Sequence, residues 1–383
     1  MKKLFVFLFI TTLCAAQVYA QGEGTGTPPQ GMRGTPANLP DVSALGNITG
    51  HLSNDKSDTG RNELGLNEVE TAFQGYIYPE MRADIILAIH KHDGKYESEI
   101  CEAKASFLKL AEGLSGEMGK IHLDFGRLNK LHTHHLPMVD KPAVLTNFFG
   151  DHELAGQGAT GKYLLPFLPF YTQVQAGFWT MAGHEHGVSA DNTTTVTDTN
   201  LDTVTVPIIV DSDEDFSPAG KVYTGRINSS FALADKTELE LGMSGLKGHG
   251  AHYEEHMDNV EVTGVDLTLR LWPSAYKKFT FQNEWMHLKR EVPVGTLNRD
   301  GFYSFLNYRT DKYWDFGARF DYAENAWPVI SYERALSGII THHLTETSYW
   351  RLQYKHRNLD GKTINEGWLQ VSFGIGPHSH ELE

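Results

Sequence analysis

The sequence predicts an all-β fold, a transmembrane antiparallel β-barrel of about sixteen strands, within about two either way. Three observations predict it. From Val42 to Ile375, segments of about ten residues alternate polar and apolar side chains, the period of a strand with one wet face and one apolar face. The connectors between them are alternately short and long, as antiparallel strands with two unlike ends require. Aromatic residues collect at the segment ends, where the girdles of a membrane barrel lie: Tyr76, Tyr78, Trp179, Trp272, Tyr276, Tyr313, Trp314, Trp327, Tyr349, Trp350 and Trp368. A soluble sandwich shares the alternation but has no use for the girdles or the two-ended loop pattern.

The elements follow in order. Lys2 and Lys3, the apolar run Leu4–Leu13 and Val18-Tyr19-Ala20 ahead of Gln21 read as an export signal over residues 1–20, too short for a spanning helix. Residues 21–40, rich in Gly, Pro and Thr, read as a flexible periplasmic tail. The barrel is expected over 41–377, with 378–383 as a short tail. Its strands are Val42–Gly50, Leu66–Ile77, Met81–His90, Glu97–Leu110, Gly116–Leu123, Gln157–Leu165, Phe170–Met181, Val222–Leu233, Thr237–Leu246, Asn259–Leu271, Tyr276–Arg290, Gly301–Arg309, Tyr313–Tyr322, Ile330–His343, Ser348–Lys355 and Ile364–Ile375. Tight turns fall at Tyr78-Pro79-Glu80, Ala234-Asp235-Lys236, Trp272-Pro273-Ser274 and Thr310-Asp311-Lys312, and long connectors at 51–65, 124–156, 182–221, 247–258 and 291–300. With a periplasmic amino terminus, every tight turn is periplasmic and every long loop is outside. About sixteen strands leave an aqueous lumen, and the chain is too short for a twenty-two-strand barrel with a plug.

Charge and cysteine content narrow the function. The formal charge is −15, and −17 without Lys2 and Lys3, which argues against nucleic acid as a partner. Beyond the export signal the only cysteine is Cys101. No disulfide can close the chain, and a barrel closed by backbone hydrogen bonds needs none. No Gly-x-Ser-x-Gly elbow is present, and no enzyme is expected.

Three sets of residues carry candidate chemistry. The connector 124–156 is long and apolar for a free loop, and loops of that length are commonly functional or folded inward. Folded into the lumen, it would place His132, His134, His135, Asp140 and Arg127 at a pore constriction; the competing reading is a packed plug segment. Glu102, Lys104, Glu238, Glu240, Asp266, Arg270 and Arg319 fall on wet strand faces and should line the lumen, as a transverse field or as wall-to-wall salt bridges. Acids slightly outnumber bases there, which predicts a weak preference for cations. Nineteen histidines are present. His90, His92, His184, His186, His249, His252 and His256 all fall on outer connectors beside carboxylates, a donor set that suits zinc. The pattern requires no cofactor, and Zn2+ on these outer loops is the ion it suits; the competing reading is histidine as a tolerated polar residue in wet loops. Asp211-Ser212-Asp213-Glu214-Asp215 offers oxygen ligands without the EF-hand spacing.

The stretch Glu70-Thr71-Ala72-Phe73-Gln74-Gly75-Tyr76-Ile77-Tyr78-Pro79, the turn His90-Lys91-His92-Asp93-Gly94, the segment Asp124 to Pro142 and the ending Phe373-Gly374-Ile375-Gly376-Pro377-His378 carry a resemblance. Through them the chain is similar to bacterial outer-membrane porin-like proteins, distantly related to phosphate-selective porins and including zinc-regulated outer-membrane receptors. The resemblance implies a barrel and metal-linked expression or transport. Together these readings lead to an expected outer-membrane channel for passive diffusion of small hydrophilic solutes or ions. The alternative is a barrel with a blocked lumen whose loops capture metal or a surface partner. The partners expected are outer-membrane lipid and lipopolysaccharide, small solutes or metal ions, and further copies of the chain in a homotrimer.

Overall fold

In the computed structural model the described residues are 40–376, apart from 59, 93, 182–192, 198–202, 208–215, 254–255, 293–294 and 328–330. The expected export signal, the tails, His184, His186 and the acidic run 211–215 lie outside them, as do the side chains of His92, His252 and His256.

Sixteen antiparallel strands close one barrel. They are β1 (Asp41–Ser53), β2 (Glu63–Tyr78), β3 (Met81–His92), β4 (Lys95–Ala111), β5 (Leu114–His122), β6 (Ala155–Leu164), β7 (Tyr171–Met181), β10 (Ala219–Ala234), β11 (Thr237–Tyr253), β12 (His256–Ser274), β13 (Lys277–Val292), β14 (Gly295–Arg309), β15 (Trp314–Glu324), β16 (Tyr332–His343), β17 (Tyr349–Leu359) and β18 (Lys362–Ile375). β8 (Thr193–Thr197) and β9 (Thr203–Pro207) form a separate hairpin inside the connector after β7. β1 pairs with β18 from Ala44↔Ile375 to Ser53↔Glu366, so the sheet has no free edge.

Strand β16 shows why the sequence closes this way. Glu333, Ser337 and Thr341 are buried, whereas Leu336 and Ile340, one residue out of phase, are exposed. A soluble sandwich inverts that order, so the alternation now separates the two architectures. An apolar outer face and a polar inner face suit a wall between lipid and water. Leu241, Leu306, Phe320, Leu352 and Phe373 continue the outer band. Girdle aromatics bound it: Trp314 packs edge-on to Trp350 at 5.5 Å and against His342 at 4.4 Å, and Arg334 lies over Tyr332 and Tyr322. Among the described residues no helix is long and apolar enough to cross a membrane; the crossing is made by strands. The barrel is an outer-membrane barrel.

Every connector at the end holding the start of β1 is short, from Pro79-Glu80 to residues 344–348, which makes that end periplasmic. The opposite end carries 54–62, 123–154 and 182–218. Two expected outer loops are instead strand. β11 and β12 meet only at 254–255, and β13 and β14 only at 293–294. In β11 a glycine gives room for packing: a Cβ on Gly250 would lie 3.2 Å from Phe216 and from Val260. β12 likewise runs through Trp272-Pro273-Ser274 to its end at Ser274. Four expected girdle aromatics face the interior. Trp179 donates to Thr224 Oγ1 at 2.8 Å, Trp327 and Phe216 flank Arg290, Tyr349 reaches the loop backbone and Trp368 stacks on His51 at 4.8 Å. Residue spacing locates strand ends but not which face an end residue takes once the interior is partly filled.

Candidate functional site: a lumen divided by an inward loop

The connector 123–154 is the longest among the fully described ones, and it folds into the barrel. Its neck is tied shut. Leu123 N–H donates to Leu154 O at 2.8 Å, and Asn129 Nδ2 donates to both carbonyls at 2.7 and 3.0 Å. Gly126 then turns the chain at φ 64°, a conformation that favours glycine, and a Cβ there would displace the Glu284 carboxylate. Arg127 pairs with Glu240 at 3.0 Å, and its N–H donates to Glu284 Oε1 at 3.3 Å. After a single 3-10 turn (Thr133–His135), the loop forms a short helix, α1 (Ala143–Phe149), opened by Pro142 and stopped by Gly150 at φ 88°.

Apolar packing holds one side of this loop. Val144, Leu145, Phe148 and Phe149 join Phe125, Leu136 and Met138 in a buried cluster with Val222, Leu246, Val262, Met286 and Tyr303 of the wall. These inward-facing apolar residues sit on β10 to β14, so this sector of the lumen is dry. Charge holds the other side. Asp140 Oδ1 accepts from Arg319 Nη2 at 2.9 Å, Oδ2 accepts from Lys355 Nζ at 3.1 Å, and Gln353 Nε2 donates to the same carboxylate. Burial alone would raise the Asp140 carboxyl; Arg319 and Lys355 prevail and hold it well below the usual carboxylate range. Glu153 is held low in the same way, chiefly by Lys141 at 2.9 Å. Met138 O accepts from Arg351 and His134 O from the Tyr349 hydroxyl.

His132 lies between two carboxylates of the wall. Its Nδ1 is 3.0 Å from Glu70 Oε2 on β2, and its Nε2 is 3.5 Å from Glu102 Oε2 on β4. Burial opposes a charge there, but Glu102 and Glu70 outweigh it and hold His132 protonated well above the ordinary imidazole range. His122, the last residue of β5, stacks obliquely on His132 at 4.6 Å, and its N–H donates to Glu102 Oε1 at 3.0 Å. Glu102 reaches inward beside a bulge, where Cys101 is the extra residue opposite Ile86 and Leu87. His134 Nδ1 lies 3.8 Å from Glu70, and His135 packs on His134 at 4.1 Å.

Large cavities lie on either side of the loop. One, of about 1110 Å³, is lined by residues such as Arg82, Lys130, Arg270, Lys278 and Arg309, toward the periplasmic end. The other, of about 620 Å³, is an outer vestibule lined by Glu68, Glu99, Glu153, Glu333 and Glu366. A single residue, His132, lines both. Nine lysines and arginines against six carboxylates line the lower chamber, and seven carboxylates against four bases line the vestibule. The lumen is thus polarised along its axis, which a net count of acids and bases on the wall did not reveal.

The expected site residues fall into place as follows. Arg127, His132, His134, His135 and Asp140 all sit on the inward loop; the three histidines cluster beside Glu70, whereas Arg127 is held by Glu240 and Asp140 by Arg319 and Lys355. Glu102, Lys104, Glu238, Glu240, Asp266, Arg270 and Arg319 are wall residues joined in salt bridges: Lys104–Glu102 at 3.1 Å, Arg270–Glu240 at 2.8 Å, Arg270–Glu238 at 3.5 Å and Arg319–Asp321 at 2.7 Å. Asp266 pairs with Arg226 at 2.7 Å. Of the outer-connector histidines, only His90 and His249 have described side chains. Two groups of His, Asp and Glu among the described residues approach closely enough to share an ion, Glu102–His122–His132 and His51–Asp58–Glu366. Neither contains His90 or His249; His90 instead lies 5.5 Å from the His152 ring. Sequence reasoning passed over Glu70 and His122 as site residues. Their partners are 62 and 10 positions away at His132, and no spacing motif links them.

The fold and the inward loop define a sixteen-strand barrel of porin type. Solved porins share its architecture. The anion-selective porin of Comamonas acidovorans aligns over 88% of this chain and 100% of its own, at 11% identity and a TM-score of 0.53. OmpF of Salmonella typhi, in complex with daunomycin, aligns over 88% and 98%, at 9% identity and a TM-score of 0.55. OmpT of Vibrio cholerae in its trimer form aligns over 88% and 100%, at 7% identity and a TM-score of 0.53. In sequence, the chain is 25% identical over 315 residues to an uncharacterized protein of Aquifex aeolicus, of whose length it spans 63%. No protein-family model matches.

Proposed function

We propose that this barrel is an outer-membrane channel for passive diffusion of small hydrophilic solutes and ions, with its passage narrowed at His132 by the inward loop. One observation carries the reading: two cavities rich in charged side chains, one on each side of the loop, meet at a single lining residue inside a wall that is apolar toward lipid. The loop acts as a constriction, with His132, His134 and His135 on its lumenal surface and Arg127 and Asp140 as its anchors. The vestibule's acidic lining would gather cations and the lower chamber's basic lining would gather anions, so net selectivity should be weak. The porin folds of the solved neighbours support a channel over an enzyme, and the trimer form of the Vibrio cholerae barrel supports a homotrimer. Zn2+ capture by His90, His92, His184, His186, His249, His252 and His256 stays a separate proposal; alanine at His249, His252 and His256 should weaken it without changing conduction.

Liposome swelling tests the channel. Proteoliposomes of the refolded barrel should swell in small sugars and progressively less as the sugar grows. A folded, heat-modifiable barrel that admits none of them would overturn the channel and leave loop-mediated capture as the better account.

A further inference from the structure

We propose that Glu102, His122 and His132 form a binding site for one divalent first-row transition-metal ion at the junction of the two cavities. One donor atom from each residue falls within 4.8 Å of the others, and Glu102 and His122 are at least nine-tenths buried. Two imidazoles and a carboxylate with an open fourth position are a donor set that zinc and its neighbours accept.

The donors are poised for an ion. His122 Nδ1 is buried without a hydrogen-bond partner among the described residues, although buried polar atoms are ordinarily satisfied, and His132 Nε2 faces Glu102 Oε2 at 3.5 Å, the two atoms an ion would bridge. Glu70 Oε2 sits 3.0 Å from the far nitrogen of His132. A carboxylate in that position fixes a ligand histidine's tautomer and ring orientation, leaving the other nitrogen to the metal. Glu102 Oε1 is occupied by the His122 N–H, which leaves Oε2 as the ligand oxygen. Lys104 Nζ, 3.1 Å from that oxygen, is the cation an incoming ion must displace. The acidic vestibule supplies the approach, because an excess of carboxylates raises the local concentration of cations. The ion would then stand where the passage narrows. The proposal deepens the channel reading and rests on it only for that last consequence.

Calorimetric titration of Zn2+ into the refolded full chain in detergent tests it, with Co2+ as a spectroscopic probe. The expected result is a site, distinct from any on the outer loops, that His122→Gln, His132→Asn and Glu102→Gln each remove, with the visible absorption of tetrahedral Co2+ lost in parallel. Glu70→Gln should weaken that site roughly 10- to 100-fold. Lys104→Met should tighten it, an effect a purely structural role for Lys104 does not give. Heat-modifiable mobility establishes that each variant is folded. Unchanged stoichiometry in folded His122→Gln and His132→Asn, or loss of the site through His249→Ala and His252→Ala instead, would overturn the proposal. A barrel that conducts but binds no zinc fails this proposal alone; one that binds zinc but never conducts fails only the channel.

Discussion

Asp140 is the residue on which the loop's polar side depends. It accepts from both Arg319 and Lys355 while Gln353 donates to it as well. Replacing it by Asn leaves Arg319 to Asp321 and to the backbone carbonyl of residue 140 at 2.8 Å, and Lys355 to Glu333, but removes the loop carboxylate that the two cations share. Losing one partner of a buried pair costs on the order of 3 kcal/mol, so Asp140→Asn should raise the open-state conductance and speed proteolysis of the loop. The pH dependence has a definite sign. The folded carboxyl lies below its ordinary value of 3.8, so its stabilisation is complete above about pH 4 and is lost as pH falls through the lower folded value. Conductance recorded against pH should therefore rise only under strong acid in the wild type, and that rise should shrink in Asp140→Asn. On the outer surface, Leu336→Arg places a charge in the lipid band and should cost about 2–4 kcal/mol near the midplane. Urea unfolding in lipid measures it, and an unchanged midpoint would mean that Leu336 does not face lipid. Such roles were half legible in the sequence. Alternation gave the inward side of Glu102 and Arg319, but pairing across the lumen joins positions such as 140 and 355 that no local pattern connects.

At the scale of elements, strands are the legible part. Each expected strand overlaps an observed one, because a wall between lipid and water imposes period two along its full length. The extensions of β11 through β14 past their expected ends were not legible, because packing that no spacing reveals sustains them: Gly248 and Gly250 of β11 admit Val222 and Phe216. The inward loop was legible as unusual through its length and apolar content. Its helix was not, since Ala143–Phe149 spans only seven residues and owes its stability to the buried cluster rather than to propensity. Phe148 is fully buried in that cluster. Phe148→Ala should cost roughly 3–5 kcal/mol of loop docking, read as faster cleavage within 123–154 while the barrel itself keeps its heat-modifiable mobility. Equal cleavage rates would show that the charged anchors alone hold the loop.

At the scale of the whole molecule, the axial separation of charge is the feature with electrical consequences. An acidic vestibule in series with a basic chamber is an asymmetric fixed-charge profile, and current should differ between the two polarities of applied voltage. The asymmetry should be plain near 0.1 M salt, where screening extends about 10 Å, and should flatten toward 1 M, where it extends about 3 Å. Symmetric currents at low salt would mean that the two linings do not share one conducting path. The central claim is that the barrel conducts and that the loop sets its bore. The loop ends are already joined by the bond from Leu123 to Leu154, so a short glycine linker can replace the residues between them. Single-channel conductance of the refolded wild type and of this loop-excised chain in planar bilayers is the most direct test. The account predicts small, steady openings for the wild type and several-fold larger ones without the loop. A silent wild type, or equal conductance in the two, would contradict it.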